Sequence, residues 1–421
     1  MNEQVLQTLG RTFGAANVGT LRPRFDAAPL PMVAPSSVEG FRAALELSRA
    51  NRWRVLPVGL GSKLSWAPAP GPADFVLSTW AYAGVESYEP GDGTLTARAG
   101  TTWAELSARV AVGGHALSPD VPRPKGSTLG GVIAAGQSGA DRLRHGALRE
   151  HVLGLTYLLS DGTLGRCGGR LVKNVTGYDL QRLFAGSHGT LGLILEASLR
   201  LFPLPEQEVL ASWRAPDRGS ALAAARRLLG PELSPWSVVL TAHGAEWTVH
   251  ARLAGRAESV AAEHQALERL LPGARCLAGE AAGPAAQELR DSAFGEIDGP
   301  RLVLQVRPSA CAVALDVALE ALAAPQFRDS CTPQWRCEPG LAVIEAALGA
   351  RAHDPGLLAA LTDSLARALA PLSGAVRLLH APEGMPTTAE AGAPSAGLAL
   401  MRRLRRQLDP AGTFEAGRFL P

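Results

Sequence analysis

The spacing of apolar side chains predicts alternating helices and strands in the first half of the chain. Residues 37–56 begin as a helix with Ser37 as its cap, because apolar side chains recur there at helical spacing. The same segment ends in an apolar run typical of a strand that leads into a glycine turn. Residues 94–99 alternate as a second strand, and Thr101 or Thr102 caps the following helix. Strands that lead into tight loops are a usual place for phosphate-binding backbone amides.

The pattern changes at Pro203-Leu204-Pro205, which we interpret as a domain boundary. Before it, Asp161-Gly162 predicts a hairpin turn between two strands. After it, alanine-rich amphipathic helices alternate with strands, an α+β pattern. A last helix is predicted over residues 398–408 and ends at Asp409-Pro410. In the second half the predicted helices are 220–229, 257–271, 311–323 and 355–369, and the predicted strands are 238–241, 247–253, 302–306, 341–346 and 375–379.

Composition places the chain among ordinary globular proteins. Of its 421 residues, 46% are hydrophobic and 19% are charged. The 41 basic residues nearly balance the 39 acidic ones, so the formal net charge is only +2. Binding to a phosphate backbone requires a concentrated basic surface, and we therefore expect no nucleic-acid partner.

The sequence predicts neither secretion nor direct insertion into a membrane. Its N-terminal segment carries Glu3 and lacks the apolar region of a secretory signal. The long uncharged stretch at residues 126–140 is rich in glycine and shorter than the roughly 20 apolar residues of a spanning helix. Five scattered cysteines favour free, reduced thiols over a zinc or iron–sulfur site. We expect a cytoplasmic protein, peripheral to the inner membrane only through partners.

Three glycine clusters carry the candidate chemistry, at residues 59–62, 126–139 and 186–192. The first, Gly59-Leu60-Gly61-Ser62-Lys63, lacks the spacer of a nucleotide P-loop, and Leu64 replaces the third glycine of the dinucleotide fingerprint. Glycine lets a backbone approach a ligand closely. One such cluster would be structural, whereas three beside predicted strands indicate one extended ligand that contacts several loops.

Four stretches resemble the vanillyl-alcohol-oxidase or PCMH-type FAD-binding flavoproteins. They are PVGLGSK, STLGGVIAAGQSG, residues 168–203 and the segment LDPAGTFEAGRF. Within this family they are similar to the FAD-binding subunit of bacterial glycolate oxidase (glycolate dehydrogenase), to which the segment KNVTGYD points in particular. The resemblance implies a two-domain α+β fold. It consists of a FAD-binding domain at 1–203, completed by 391–421, and an α+β cap domain at 204–390.

The resemblance also implies which residues bind FAD. Some members attach FAD covalently through a histidine in the first glycine loop; here Ser62-Lys63 stands in that place, which predicts non-covalent FAD. Lys63 either adds charge to the site or is a solvated side chain. The implied cofactor-binding residues are Val58, Gly59, Leu60, Gly61, Ser62, Pro119, Asp120, Ser127, Thr128, Gly130, Gly131, Gly136, Ser138, Gly139, Gly186, Thr190, Gly192, Ile194 and Arg418.

The sequence identifies no catalytic residue and predicts no metal site. Relatives that oxidise 2-hydroxy acids carry clustered histidines that hold a divalent ion, whereas the nine histidines here are dispersed. His380 has no partnering histidine, and His243 and His250 have no carboxylate at ligand spacing. Tyr178 and Asp179 border the flavin, border a partner, or are merely structural; the sequence leaves these alternatives open.

The resemblance implies a FAD-binding oxidoreductase subunit of a glycolate oxidase complex, which oxidises glycolate, a small 2-hydroxy acid, to glyoxylate. The implied partners are a sister flavin subunit and an iron–sulfur subunit. Two alternatives remain. One is a self-sufficient FAD-dependent enzyme acting on another hydroxy acid or a sugar-type alcohol, and the other is a non-catalytic structural subunit.

Overall fold

The chain forms two compact units, each built from separate stretches of sequence. The first contains residues 1–138, 147–203 and 394–421, and the second contains 139–146 and 204–393. The sequence interpretation had left 139–146 in the first domain. Both units mix helices and strands, which confirms the α+β fold class. The computed structural model describes residues 3–22, 28–64, 72–118, 120–136, 138–171, 178–292, 300–306, 308–323, 333–348, 354–379 and 395–414.

The α-helices follow the predicted pattern most closely where a local cap begins them. Ser37 accepts a hydrogen bond from the Gly40 amide, and Thr102 forms a reciprocal capping box with Glu105. The helices are α1 (Glu3–Phe13), α2 (Val38–Asn51), α3 (Trp103–Ala111), α4 (Leu129–Ala135), α5 (Arg142–His145), α6 (Gln181–Phe184), α7 (Arg218–Leu228), α8 (Ala257–Leu270), α9 (Ala282–Ser292), α10 (Cys311–Ala323), α11 (Pro355–Leu369) and α12 (Ser395–Leu408).

The strands form separate sheets in the two units. In chain order they are β1 (Val18–Leu21), β2 (Leu30–Val33), β3 (Val55–Val58), β4 (Phe75–Ser78), β5 (Val85–Glu89), β6 (Thr94–Arg98), β7 (His115–Ala116), β8 (Val152–Leu158), β9 (Leu164–Gly168), β10 (Leu193–Arg200), β11 (Phe202–Pro203), β12 (Gln207–Ala215), β13 (Ser237–His243), β14 (Glu246–Gly255), β15 (Arg275–Ala278), β16 (Arg301–Gln305), β17 (Gln334–Glu338), β18 (Val343–Ala347) and β19 (Ala375–Leu379).

Two larger sheets and one strand pair organise the first unit. A four-stranded sheet has the order β1-β2-β4-β3, in which β2, β4 and β3 run parallel. A five-stranded antiparallel sheet has the order β5-β6-β10-β8-β9, and its β8–β9 hairpin turns where Asp161-Gly162 was predicted to turn. Phe41 and Leu45 of α2 are fully buried in the core beside β3 and β4. This core fixes the strand that leads into the first glycine loop.

The segment after α12 returns to the edge of the four-stranded sheet. Thr413 accepts a hydrogen bond from the Val55 amide at 2.7 Å, and Phe414 pairs with Val55 as a parallel bridge. The Asp409 carboxylate accepts hydrogen bonds from the Thr413 and Phe414 amides, both at 2.9 Å. Phe414 is fully buried. The C-terminal segment therefore supports the start of β3.

The second unit is built on one antiparallel sheet with the order β15-β12-β14-β13-β17-β18-β16-β19. Its apolar face packs against α7, α8, α10 and α11. Along β14 the core face carries Trp247, Val249 and Ala251, so the alternate residues Thr248 and His250 lie on the other face. Around β14 the sheet therefore has one apolar and one polar face, whereas Leu210 of β12 packs with Ala282 and Ala286 of α9. Within the described residues, no helix has the length and apolar character needed to cross a membrane.

Candidate cofactor-binding site

The first glycine loop follows β3 and is held by the neighbouring strand. The Thr79 amide donates to the Val58 carbonyl at 2.9 Å, and Ser78 Oγ donates to the Gly59 carbonyl at 2.7 Å. Gly61 has φ +81°, a left-handed conformation that glycine adopts without strain. These contacts fix a sharp turn at the end of a parallel strand.

Gly59 is the position where a side chain has no room. A Cβ atom there would lie 1.9 Å from Thr128 Oγ1. Thr128 is held in place because its hydroxyl caps α4 and accepts a hydrogen bond from the Gly131 amide. The first loop and the start of the second therefore approach each other at backbone distance.

The second glycine cluster was expected as a loop, but its centre is the helix α4. The Gly130 amide donates to the Ala99 carbonyl at 2.9 Å, and a Cβ at Gly130 would lie 2.8 Å from the Ala99 Cβ. The helix ends at Gly136, which has φ +61°. Glycine here allows a helix to lie directly against another backbone.

The third glycine cluster packs on the C-terminal end of α4. The Gly186 amide donates to the Ile133 carbonyl at 3.0 Å, and the His188 amide donates to the Ala134 carbonyl at 2.7 Å. His188 itself has φ +52°, which is uncommon for a residue with a side chain. All three glycine clusters thus meet around one short helix.

Two adjoining cavities lie between the three clusters, and together they form what we call the glycine groove. They measure about 410 and 330 Å³, including space that is open to solvent. They share Pro57, Val58, Gly59, Gly131 and Ala134. The first is also lined by residues 60–64, Thr128, Ala135 and His188, and the second by Thr79, Gly130, Gly189, Gly192, Leu193 and Ile194.

Lys63 is buried in the wall of the groove, with 9% of its surface exposed, so the solvated alternative is wrong. Its ammonium donates to Ser127 Oγ, and Ser127 Oγ in turn donates to the Arg123 carbonyl at 2.9 Å. Burial, followed by repulsion from Arg123, lowers the pKa of Lys63 from 10.5 to about 7. A bound anion would favour the charged form of this lysine.

The structure brings most of the sequence-predicted residues to the groove. Val58, Gly59, Leu60, Gly61, Ser62, Thr128, Gly130, Gly131, Gly192 and Ile194 line it. Others support the loops from behind: Thr190 is fully buried and donates to the Ser187 carbonyl, and Ser138 Oγ accepts from the Leu148 amide. Ser127, Gly136 and Gly186 make the contacts described above. Asp120 is half-buried, Gly139 lies in the second unit, and Pro119 and Arg418 lie outside the described residues.

Several groove residues escaped the sequence interpretation. Ala134 and Ala135 face the groove from α4, and His188 lies at its wall. Alanines in a helix and one histidine among nine carry no local signal of ligand contact. Only the position of His188 between two glycines, Gly186 and Gly189, could have drawn attention to it.

The second unit places the predicted histidines on its polar face. His250 lies between Ser212 and Thr241, each hydroxyl 2.9 Å from a ring nitrogen. Burial, with repulsion from Arg336, lowers the pKa of His250 to about 4. Within the described ranges, no group of three or more potential ligands is suited to a metal ion. His353 and His380 lie outside those ranges.

Residues 29–168 match the sequence family described as the FAD binding domain. The fold is similar to that of an alkyldihydroxyacetonephosphate synthase structure, with a TM-score of 0.71 and 14% identity over 98% of this chain and 84% of that chain. The chain therefore contains a FAD-binding domain, and its overall α+β fold is similar to that of this synthase. These findings confirm the predicted fold class and FAD as the cofactor of this domain.

Three named relatives, all of them matched over part of their length, are similar to this chain in sequence. Glycolate oxidase subunit GlcD of Bacillus subtilis is 32% identical over 213 residues, which are 49% of this chain and 45% of GlcD. D-lactate dehydrogenase of Archaeoglobus fulgidus is 35% identical over 201 residues, 45% of this chain and 44% of the relative. Glycolate oxidase subunit GlcE of Escherichia coli is 36% identical over 130 residues, 31% of this chain and 37% of GlcE. The matched region spans less than half of each relative.

Proposed function

We propose that the chain is a FAD-binding oxidoreductase subunit that holds its cofactor non-covalently in the glycine groove and acts in a glycolate oxidase or dehydrogenase complex. The observation that carries the proposal is the convergence of three glycine clusters on one groove, two of them within the region that matches the FAD binding domain. When bound, FAD accepts the hydride equivalent that leaves a hydroxy acid on oxidation.

The groove residues fit an extended dinucleotide with an anionic centre. The turn at Gly59, Leu60 and Gly61 presents consecutive backbone amides, which form a site for the pyrophosphate. Lys63 supplies positive charge behind that turn. Glycine at 59 and 130 lets the first loop and α4 pack closely against Thr128 and Ala99 beside the groove. These residues would bind and orient FAD and exclude water from it.

The names of two relatives support the proposal that the chain acts together with partner subunits. GlcD and GlcE are both named as subunits of glycolate oxidase, and both match this chain. We propose a sister flavin subunit and an iron–sulfur subunit as partners, with electrons passing from the complex to an acceptor. We also propose that the protein is cytoplasmic and associates with the membrane only through those partners.

An absorbance spectrum of the purified chain tests the proposal. The chain, loaded with FAD if it is colourless, should show bound flavin that stays oxidised with anaerobic glycolate until the sister subunit is added. Failure to bind FAD would contradict the proposal and favour a structural subunit.

A second candidate function is a self-sufficient dehydrogenase of a 2-hydroxy acid. It is favoured by the match to a D-lactate dehydrogenase and by a polar cavity in the second unit. Flavin bleaching by a hydroxy acid in the isolated chain would establish this function instead.

A further inference from the structure

The polar face of the second-unit sheet carries a cavity of 870 Å³, here called the sheet cavity. The strand register lines up polar residues along its wall. Thr241 is paired with Arg336, Arg336 with Glu345, and Arg301 with Ala347. Because the neighbours of these residues in sequence form the apolar core, their own side chains lie together on the opposite face. The charged side chains of Arg301, Arg336 and Glu345 are therefore grouped at the wall of this cavity.

Two buried arginines contribute to the wall of the sheet cavity. Arg336 is 6% exposed, and its guanidinium donates twice to Glu338, at 3.1 and 3.0 Å, and once to the Leu289 carbonyl at 3.1 Å. Its charge is therefore balanced within the protein. Arg301 is 4% exposed and lies two strands away, at the start of β16. A guanidinium in a cavity wall offers a planar fork that matches a carboxylate.

Glu345 stands on β18, between the strands that carry the two arginines. Burial raises its pKa to about 7, and repulsion from Glu338 acts in the same direction. Arg336, Arg301 and Arg142 oppose this rise. The charged or titratable residues elsewhere on the wall are His243 and Glu246, on β13 and β14. Near neutral pH the Glu345 carboxyl can therefore accept or donate a hydrogen bond.

We infer that the sheet cavity binds a small 2-hydroxy carboxylate, with Arg301 pairing with its carboxylate and Glu345 hydrogen-bonded to its hydroxyl. The inference rests on the proposed function for the class of ligand, and on the residues of the second unit for the site. Lactate, a stable 2-hydroxy acid, serves as the probe of this site.

Calorimetry provides the readout, because Trp335 next to Arg336 has its side chain in the apolar core on the opposite face of the sheet. The full-length chain, with and without FAD, is titrated with lactate, with propionate, which lacks the hydroxyl, and with lactamide, which lacks the charge. Calorimetry follows binding of each compound. Lactate should bind more tightly than propionate, and lactamide should bind more weakly than either.

Substitutions then test the two inferred contacts, that of Arg301 with the carboxylate and that of Glu345 with the hydroxyl. Arg301→Gln should weaken lactate binding at least about tenfold, as expected for a lost charge-assisted hydrogen bond. Glu345→Ala should bring lactate down to the affinity of propionate and leave propionate unchanged, because only lactate carries the hydroxyl. Arg275→Gln, at an exposed arginine on β15, is the matched control and should bind lactate like the unaltered chain.

The outcomes separate this site from the proposed function. If Arg301→Gln fails to fold, Arg301→Lys keeps the charge without the fork and should still lose affinity. Unchanged lactate binding in the folded Arg301 variant, or lactamide binding equal to lactate binding, would overturn the inference. A chain that binds lactate but not FAD would contradict the proposed function and leave the sheet cavity standing as a carboxylate site.

Discussion

The Lys63 ammonium lies 2.5 Å from Ser127 Oγ and 3.2 Å from Ser62 Oγ. The contact joins the first glycine loop to the segment that begins the second, beneath the groove that both loops line. Burying a lysine is unfavourable unless the site later gains negative charge. A lysine in this place is therefore suited to a protein that binds an anionic cofactor.

Lys63 should make FAD binding depend on pH. In the free chain its pKa is about 7. A neighbouring pyrophosphate would raise that pKa, so binding takes up a proton above pH 7. FAD affinity should then fall as pH rises above 7, by up to about tenfold per pH unit. Titration calorimetry in two buffers of different ionisation enthalpy measures the proton uptake directly.

The matched variants for this prediction are Lys63→Met and Lys125→Met. Lys63→Met should bind FAD more weakly at pH 7 and show a flatter pH profile. Lys125 is exposed, and its replacement should leave both quantities unchanged. An unchanged pH profile in Lys63→Met would show that this lysine does not face the anion.

Gly59→Ala should disrupt the first loop. The added Cβ would lie 1.9 Å from Thr128 Oγ1, and overpacking of this kind costs about 1–3 kcal/mol. Gly126→Ala is the control, since a Cβ there meets nothing closer than 3.9 Å. Urea unfolding and FAD affinity should both weaken in the first variant only. Adding Thr128→Ala to Gly59→Ala should restore part of the FAD affinity; no recovery would argue against this clash as the cause.

Asp409→Asn should loosen the C-terminal segment from β3. The substitution replaces one acceptor oxygen by a donor, so that either the Thr413 or the Phe414 amide loses its buried partner, at a cost of about 1–3 kcal/mol. FAD affinity should fall as well, because Thr413 holds Val55 at the start of β3. Urea unfolding measures the change, with Glu46→Gln on the exposed side of α2 as the control. Equal unfolding midpoints in both variants would contradict the supporting role of this segment.

Glu345→Gln should stabilise the chain at alkaline pH. Its pKa is raised from 4.5 to about 7 in the folded chain, so between these values the folded state binds more protons than the unfolded state. The carboxyl therefore costs stability as pH rises through this window, and the cost is complete above pH 7. The melting temperature of the variant should exceed that of the unaltered chain at pH 8 and approach it at pH 5. Glu246→Gln, an exposed carboxyl of the same cavity, should show no such difference.

Local signals made part of this structure predictable. The caps at Ser37 and Thr102 act within one helical turn, so the sequence alone locates the start of α2 and α3. The hairpin at Asp161-Gly162 is equally local. In the second unit, α10 and α11 have the predicted bounds because alanine and leucine repeat there at the helical period.

Long-range contacts explain what could not be predicted. The helix α4 contains Gly130 and Gly131, which lower helix propensity, and it needs glycine only because Ala99 packs against it. The burial of Lys63 likewise depends on Ser127, which is 64 positions away. The sheet cavity is lined by residues from five strands. Which of these residues lie side by side depends on how the strands pair, and no short sequence motif indicates that pairing.

The short insertion 139–146 has a consequence for any exchange of parts between related proteins. Arg252 of the second unit binds Asp141 of this insertion together with Glu208, and its guanidinium lies 4.7 Å from the centre of the Trp236 ring. A graft that transplants residues 204–393 alone would leave this buried arginine without its partner Asp141. A chimaera that exchanges the second unit must therefore carry this octapeptide as well, although 57 residues separate it from Leu204 in the chain.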